Sequence, residues 1–100
     1  MLHTVNKSPF ERNTLASCLG HALPDSAILL IEDGVLAAVQ GTAREAEMRK
    51  ALETYSVSVL GPDLLARGLG PDQVIPGIDV VDYGGFVELT ENHDKVQAWL

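Results

Sequence analysis

The sequence predicts an α/β fold: a small, mainly parallel open sheet with helices on both faces. Three observations carry this reading. Short runs of strand character alternate with helical segments along the whole chain. One run, "AILLIE" at 27–32, is apolar at every position but its last and is bounded by turn residues, the pattern of a strand buried on both faces. Clusters of Gly, Pro and Asp mark the joints between elements. One hundred residues fit one domain spanning 1–100, and a chain of this length buries roughly two thirds of its unfolded surface.

Each element has a local reason. "LHTV" at 2–5 suits a strand through its β-branched residues. "SPFE" at 8–11 has the spacing of a capping box, Ser8 with Glu11, and Pro9 falls at the first helical position. A helix is expected from there to about Ala22, stopping before Pro24. "LPDS" is a turn, "AILLIE" a strand, and Asp33-Gly34 closes it. "VLAAV" at 35–39 reads as an apolar helical turn ended by Gly41. Thr42 opens the next helix, "AREAEMRKALET", with Ala43, Ala46, Met48 and Leu52 as a loose apolar stripe. Glu45 and Arg49 stand four apart, a favourable helical pair. "VSVL" at 57–60 is a strand, and "GPDLLARG" a short helix with Asp63 near its start and Gly68 near its end. A strand follows around Ile78 to Val81, prevented by Pro76 and Gly77 from reaching further back. A last helix is expected from about Phe86, and "VQAWL" closes as a strand.

Composition excludes several functions. With 46% hydrophobic residues the chain is not disordered. A formal charge of −7 disfavours phosphate backbones and anionic membrane surfaces, so no direct nucleic-acid or membrane partner is expected. The beginning of the chain lacks a signal-peptide h-region, and no run reaches the ~18 apolar residues that span a bilayer. A soluble cytoplasmic protein is the expectation. One cysteine provides neither an internal disulfide nor a zinc framework. No Walker or dinucleotide fingerprint appears in "GLGPD" or "DYGGF", so no cofactor is expected, and no pair among the cysteine and histidines has metal-ligand spacing, so no metal is expected either.

The chemistry that remains centres on Cys18, within "TLASCLGHALPDS". On a helical wheel Leu15, Leu19, Ala22 and Leu23 form an apolar arc, and Cys18 lies roughly 100° from its centre. It is therefore expected at the rim of the buried face, with His21 at i+3 in reach of the thiol. A protonated imidazole would favour the thiolate, the form that attacks sulfur. The alternative is equally physical: a free cysteine is a small hydrophobe and is usually buried. Both readings stay open. His3 reads as a satisfied strand histidine, and His93 as a residue suited to the negative end of a helix dipole. Asp33 reads as a turn aspartate, although it stands where open α/β sheets bind ligands. Trp99, in a terminal strand that would otherwise fray, is expected to be tied into the sheet or pressed on a partner. Together with "VLAAV" it suggests a subunit built for assembly.

Several blocks together, "MLHTVNKSPFERN", "LLIEDGVLAAV", "VLGPDLLARG", "IDVVDYGGFVELT" and "VQAWL", resemble the DsrH/TusB family over essentially the whole chain. The resemblance implies a DsrE-like fold and a place in a sulfur-relay complex, a heterohexamer with DsrE/TusD-like and DsrF/TusC-like subunits. It implies sulfur passing to a DsrC/TusE-like carrier, in sulfur oxidation or in 2-thiolation of the tRNA wobble uridine. In such complexes the principal persulfide cysteine belongs to the DsrE/TusD-type partner. DsrH-like members carry a cysteine in the first helix, the place of Cys18, which brings this chain closer to the DsrH side. The resemblance leaves two roles: Cys18 as an accessory persulfide carrier with His21 stabilising its thiolate, or a non-catalytic subunit that scaffolds the partner's active site.

Overall fold

The computed structural model describes residues 1–100. Its strands are β1 (Leu2–Val5), β2 (Ala27–Leu30), β3 (Ser56–Leu60), β4 (Asp79–Val81) and β5 (Val96–Trp99). Its α-helices are α1 (Thr14–His21), α2 (Glu45–Ala51), α3 (Gly61–Ala66) and α4 (Tyr83–Glu91), with 3₁₀ segments at Glu32–Ala38 and Pro71–Gln73. The five strands form one sheet in the order β4-β3-β2-β1-β5. Every pairing is parallel, with Leu2 opposite both Ala27 and Val96, and Val5 opposite both Leu30 and Trp99.

Topology and handedness explain why both faces are covered. The chain steps outward from β1 to β4, then returns to place β5 on the far side of β1. Crossovers between parallel strands are right-handed, so reversing the direction of travel puts the last helix on the opposite face. Side-chain alternation agrees. Val5, Ile28, Leu30, Val57 and Val59 pack with Leu15, Cys18, Met48 and Leu64 from α1, α2 and α3. Leu2, Ala27 and Leu29 point the other way, toward Phe86 and Leu89 of α4. β2 is buried at all four positions, as its uninterrupted apolar sequence requires.

Four local expectations are corrected. The first helix starts at Thr14, not at Ser8. Ser8 Oγ accepts from the Phe10 amide at 3.2 Å, while the Glu11 and Arg12 amides go to the Ser8 carbonyl, making a separate turn. Arg44 holds that turn by donating to the Pro9 carbonyl at 3.2 Å, a tertiary contact that overrides the capping box. The "VLAAV" segment begins as a 3₁₀ helix three residues earlier, at Glu32, and buries Val35, Ala37 and Ala38 in the chain's own core. Three of its five apolar side chains are therefore spent on the chain's own core, and only Leu36 and Val39 stay partly exposed. α2 begins at Glu45 and buries Met48 and Ala51, whereas Ala43 and Ala46 face solvent. Glu45 accepts from the Gly41 amide at 2.6 Å and from Arg49 at 2.8 Å, which together hold its carboxyl below the usual range. α4 begins at Tyr83, ahead of Phe86, because Asp82 caps it by accepting from the Gly85 amide at 2.8 Å.

Candidate functional site

α1 carries the predicted pair. Cys18 is 0% exposed and belongs to the main core cluster with Leu15, Val5 and Ile28. This corrects the rim placement. The helix ends at His21 and Ala22 is extended (ψ 136°), so Leu23 leaves the helical wheel and stands 75% exposed in the turn beyond. Without Leu23 the buried arc rotates toward Cys18. Burial pushes the thiol up to about 11, because an apolar surrounding disfavours the thiolate.

His21 does not answer the thiol. Its Nδ1 lies 2.8 Å from the Ser17 carbonyl. A carbonyl accepts only, so this nitrogen carries the proton and the ring is committed to its own helix. The exposed ring lies beside Trp99 instead, centroids 5.8 Å apart at 41°.

A second imidazole stands on the other side of Trp99. His3, in β1 and 4% exposed, accepts at Nδ1 from Trp99 Nε1 at 3.0 Å. Indole is a donor only, so His3 is neutral and its proton sits on Nε2. Trp99 thus ties edge strand β5 to β1 through a side-chain bond as well as the ladder. His3 and His21 line a cleft of about 390 Å³ with Met1, Leu23, Pro24, Asp25 and Ser26. The expectation of a satisfied strand histidine and a tied-in tryptophan describes each side chain correctly. Their mutual bond was not legible, because it requires knowing that β5 lies beside β1.

This bond predicts an acid sensitivity. Burial, and next the charge of the amino terminus, hold the His3 imidazole below its ordinary 6.5. Below that pH the unfolded chain binds more protons than the folded one, so stability falls as pH drops through about 6.5 and levels off below the folded pKa. The incoming proton must take the lone pair that Trp99 uses. Urea unfolding of the wild type from neutral pH to about 5, compared with His3→Gln, should show a decline in the wild type that the variant largely lacks. Identical pH profiles for the two would contradict the assigned tautomer.

At the carboxyl ends of β2 and β3, Asp33 accepts from Arg67 at 2.9 Å. Asp63 Oδ2 accepts from the Glu32 amide at 2.6 Å, at the joint where Glu32 adopts a positive φ of 50°. Asp33 is thus more than a turn residue: with Asp63 and Arg67 it locks the loop after β2 onto α3. His93 Nδ1 meets the Leu89 carbonyl at 2.7 Å, in the last turn of α4, as its position after a helix implied.

Fold and site together define a small α/β protein with an all-parallel five-stranded sheet, its single thiol inside the core rather than in a cleft. The chain belongs to the DsrH family. The family profile described as "DsrH like protein" matches residues 7–96. Protein TusB of Shigella flexneri is 38% identical over 99 residues, covering 99% of this chain and all of the relative. Protein TusB of Escherichia coli K12 matches to the same extent. Among solved structures, the ychN protein from E. coli superposes with a TM-score of 0.77 at 18% identity, covering 97% of both chains. MTH1491 from Methanobacterium thermoautotrophicum, a protein of unknown function, gives 0.73 at 13% identity over 97% of this chain and 96% of its own. At those identities the structures establish the fold alone.

Proposed function

We propose that this chain is a subunit of a cytoplasmic sulfur-relay complex, in which persulfide sulfur passes between carrier proteins, and that its own part is assembly rather than transfer. Membership of the DsrH family supports the first half. The family resemblance supplies the company: DsrE/TusD-like and DsrF/TusC-like subunits in a heterohexamer, and a DsrC/TusE-like carrier reached through it. It associates TusB-like subunits with 2-thiolation of the tRNA wobble uridine and DsrH-like ones with sulfur oxidation. The relatives named TusB favour the tRNA branch.

The observation that carries the second half is the state of Cys18. A persulfide carrier needs a reachable thiolate. The chain's only sulfhydryl is fully buried, protonated at neutral pH, and not hydrogen-bonded to His21. In this reading residues 1–100 act as one domain, Cys18 fills the seam between α1 and the sheet, and the scaffold shapes a partner's active site.

Co-expression with DsrE- and DsrF-like partners tests both halves. Wild type and Cys18→Ala should each yield a stoichiometric complex. After treatment with a persulfide donor, intact masses should show added sulfur on the DsrE/TusD-type subunit and none on this chain. A sulfur gain on this chain that Cys18→Ala abolishes would restore Cys18 as a carrier. Failure of the wild type to co-purify with either partner would remove the relay reading itself.

A further inference from the structure

The sheet has two open edges, and they differ. β5 is held by the His3–Trp99 bond and its ladder. β4 is three residues long, pairs only with β3, and leaves its outer backbone groups free for an extended segment of another chain. Beside it lies an apolar groove of about 420 Å³ between α3 and β4, whose walls include Pro62, Leu65, Leu69, Pro71 and Val80. Leu65 is 69% exposed and Val80 40%. Side chains of this kind are normally covered when they line a groove at an open strand edge.

Charge indicates what covers it. From Gly61 to Glu91 the chain carries Asp63, Asp72, Asp79, Asp82, Glu88 and Glu91 against a single cation, Arg67. Arg67 is already occupied by Asp33 and by the Asp63 carbonyl. Asp82 lines the groove itself, and the exposed Asp72 follows Pro71 of the groove wall. An apolar slot rimmed by unneutralised carboxylates selects against acidic segments and steers basic ones.

We propose that the α3–β4 groove is the docking surface for an extended, basic segment of another relay subunit, which sets an apolar side chain against Leu65 and Val80 and its Lys or Arg residues against Asp82 and the neighbouring Asp72. The proposal rests on the relay reading for the identity of the partner. It adds the surface and its chemistry.

The test uses the complex formed with the DsrE- and DsrF-like partners, its dissociation measured at low and high salt. Leu65→Glu should weaken association by about tenfold or more, the loss of one well-placed anchor. Leu100→Glu, more exposed than Leu65 but on the β5 side, should not change it. The wild-type complex should also loosen as salt rises. Thermal melts of the isolated variants establish that each is folded, and Val80→Asp repeats the test if Leu65→Glu is not. A complex that forms normally with Leu65→Glu or Val80→Asp, or one indifferent to salt, overturns the groove assignment while leaving the relay reading intact. A wild-type chain that binds neither partner overturns the relay reading and this occupant with it. A wild-type chain that self-associates, and that Leu65→Glu makes monomeric, assigns the groove to a second copy and overturns the proposal.

Discussion

Gly34→Ala should leave the chain largely unfolded, or less stable by about 3 kcal/mol or more. Gly34 sits in the 3₁₀ segment where the chain leaves β2 and passes over the end of β1. A methyl group there would overlap the Val5 carbonyl oxygen, lie 2.9 Å from the Val5 carbonyl carbon and 3.4 Å from the Asn6 Cα. These are backbone atoms and cannot swing aside. The same Val5 carbonyl accepts from the Ile31 amide at 3.0 Å, and the Gly34 amide donates to the Ile31 carbonyl at 2.8 Å. Retreat of the segment would therefore break the joint between β1 and β2, the centre of the sheet. For a chain of this length, the loss corresponds to a melting temperature lower by roughly 15 °C. Gly41→Ala, with nothing within 4 Å but a φ of 79°, should cost only about 1 kcal/mol. Calorimetry of the two variants checks the ranking. A Gly34→Ala protein that melts with the wild type would mean that the close approach to β1 is not formed.

In the native protein Cys18 should react with iodoacetamide at least about a hundredfold more slowly than in denaturant. The displacement of the thiol from 9.0 to about 11 alone reduces the thiolate fraction by that factor. Complete burial adds the need for local opening. The same displacement has a thermodynamic face. The folded state holds the proton more tightly than the unfolded one, so this contribution is fully present below pH 9, declines above it and is lost by about 11. At about 1.4 kcal/mol for each pH unit, the decline amounts to about 3 kcal/mol. Cys18→Ala should remove the alkaline decline attributable to this group, while costing about 1–2 kcal/mol at neutral pH for the lost packing. Rapid native alkylation, or the same alkaline profile in Cys18→Ala, would show that the sulfur is reachable after all. Because the relay reading assigns transfer to a partner's cysteine, this measurement separates a scaffold from a carrier without needing the partners.

The positions of all five strands were legible in the sequence. Strands and turns announce themselves locally: "AILLIE" through its unbroken apolar run, β4 through Pro76 and Gly77 before it, β5 through "VQAW". Helix starts were less legible where a tertiary partner chose among local options. Ser8 had the residues of a capping box and became a turn held by Arg44. Asp82, just past the expected strand end at Val81, caps α4 and starts that helix three residues before Phe86.

What the sequence determined by itself is the alternation of strands and helices, the acidic surface, the single thiol and the family, because each depends on residue identity and short spacing. What only the tertiary structure decided is where that thiol faces and what the ends of the sheet hold. Cys18 went to the core because α1 stops at His21 and sheds Leu23 from its apolar face. His3 met Trp99 because a right-handed return across the sheet brings β5 beside β1. Both outcomes turn on which elements become neighbours. A reading of local periodicity contains no information about contacts made between residues 96 positions apart.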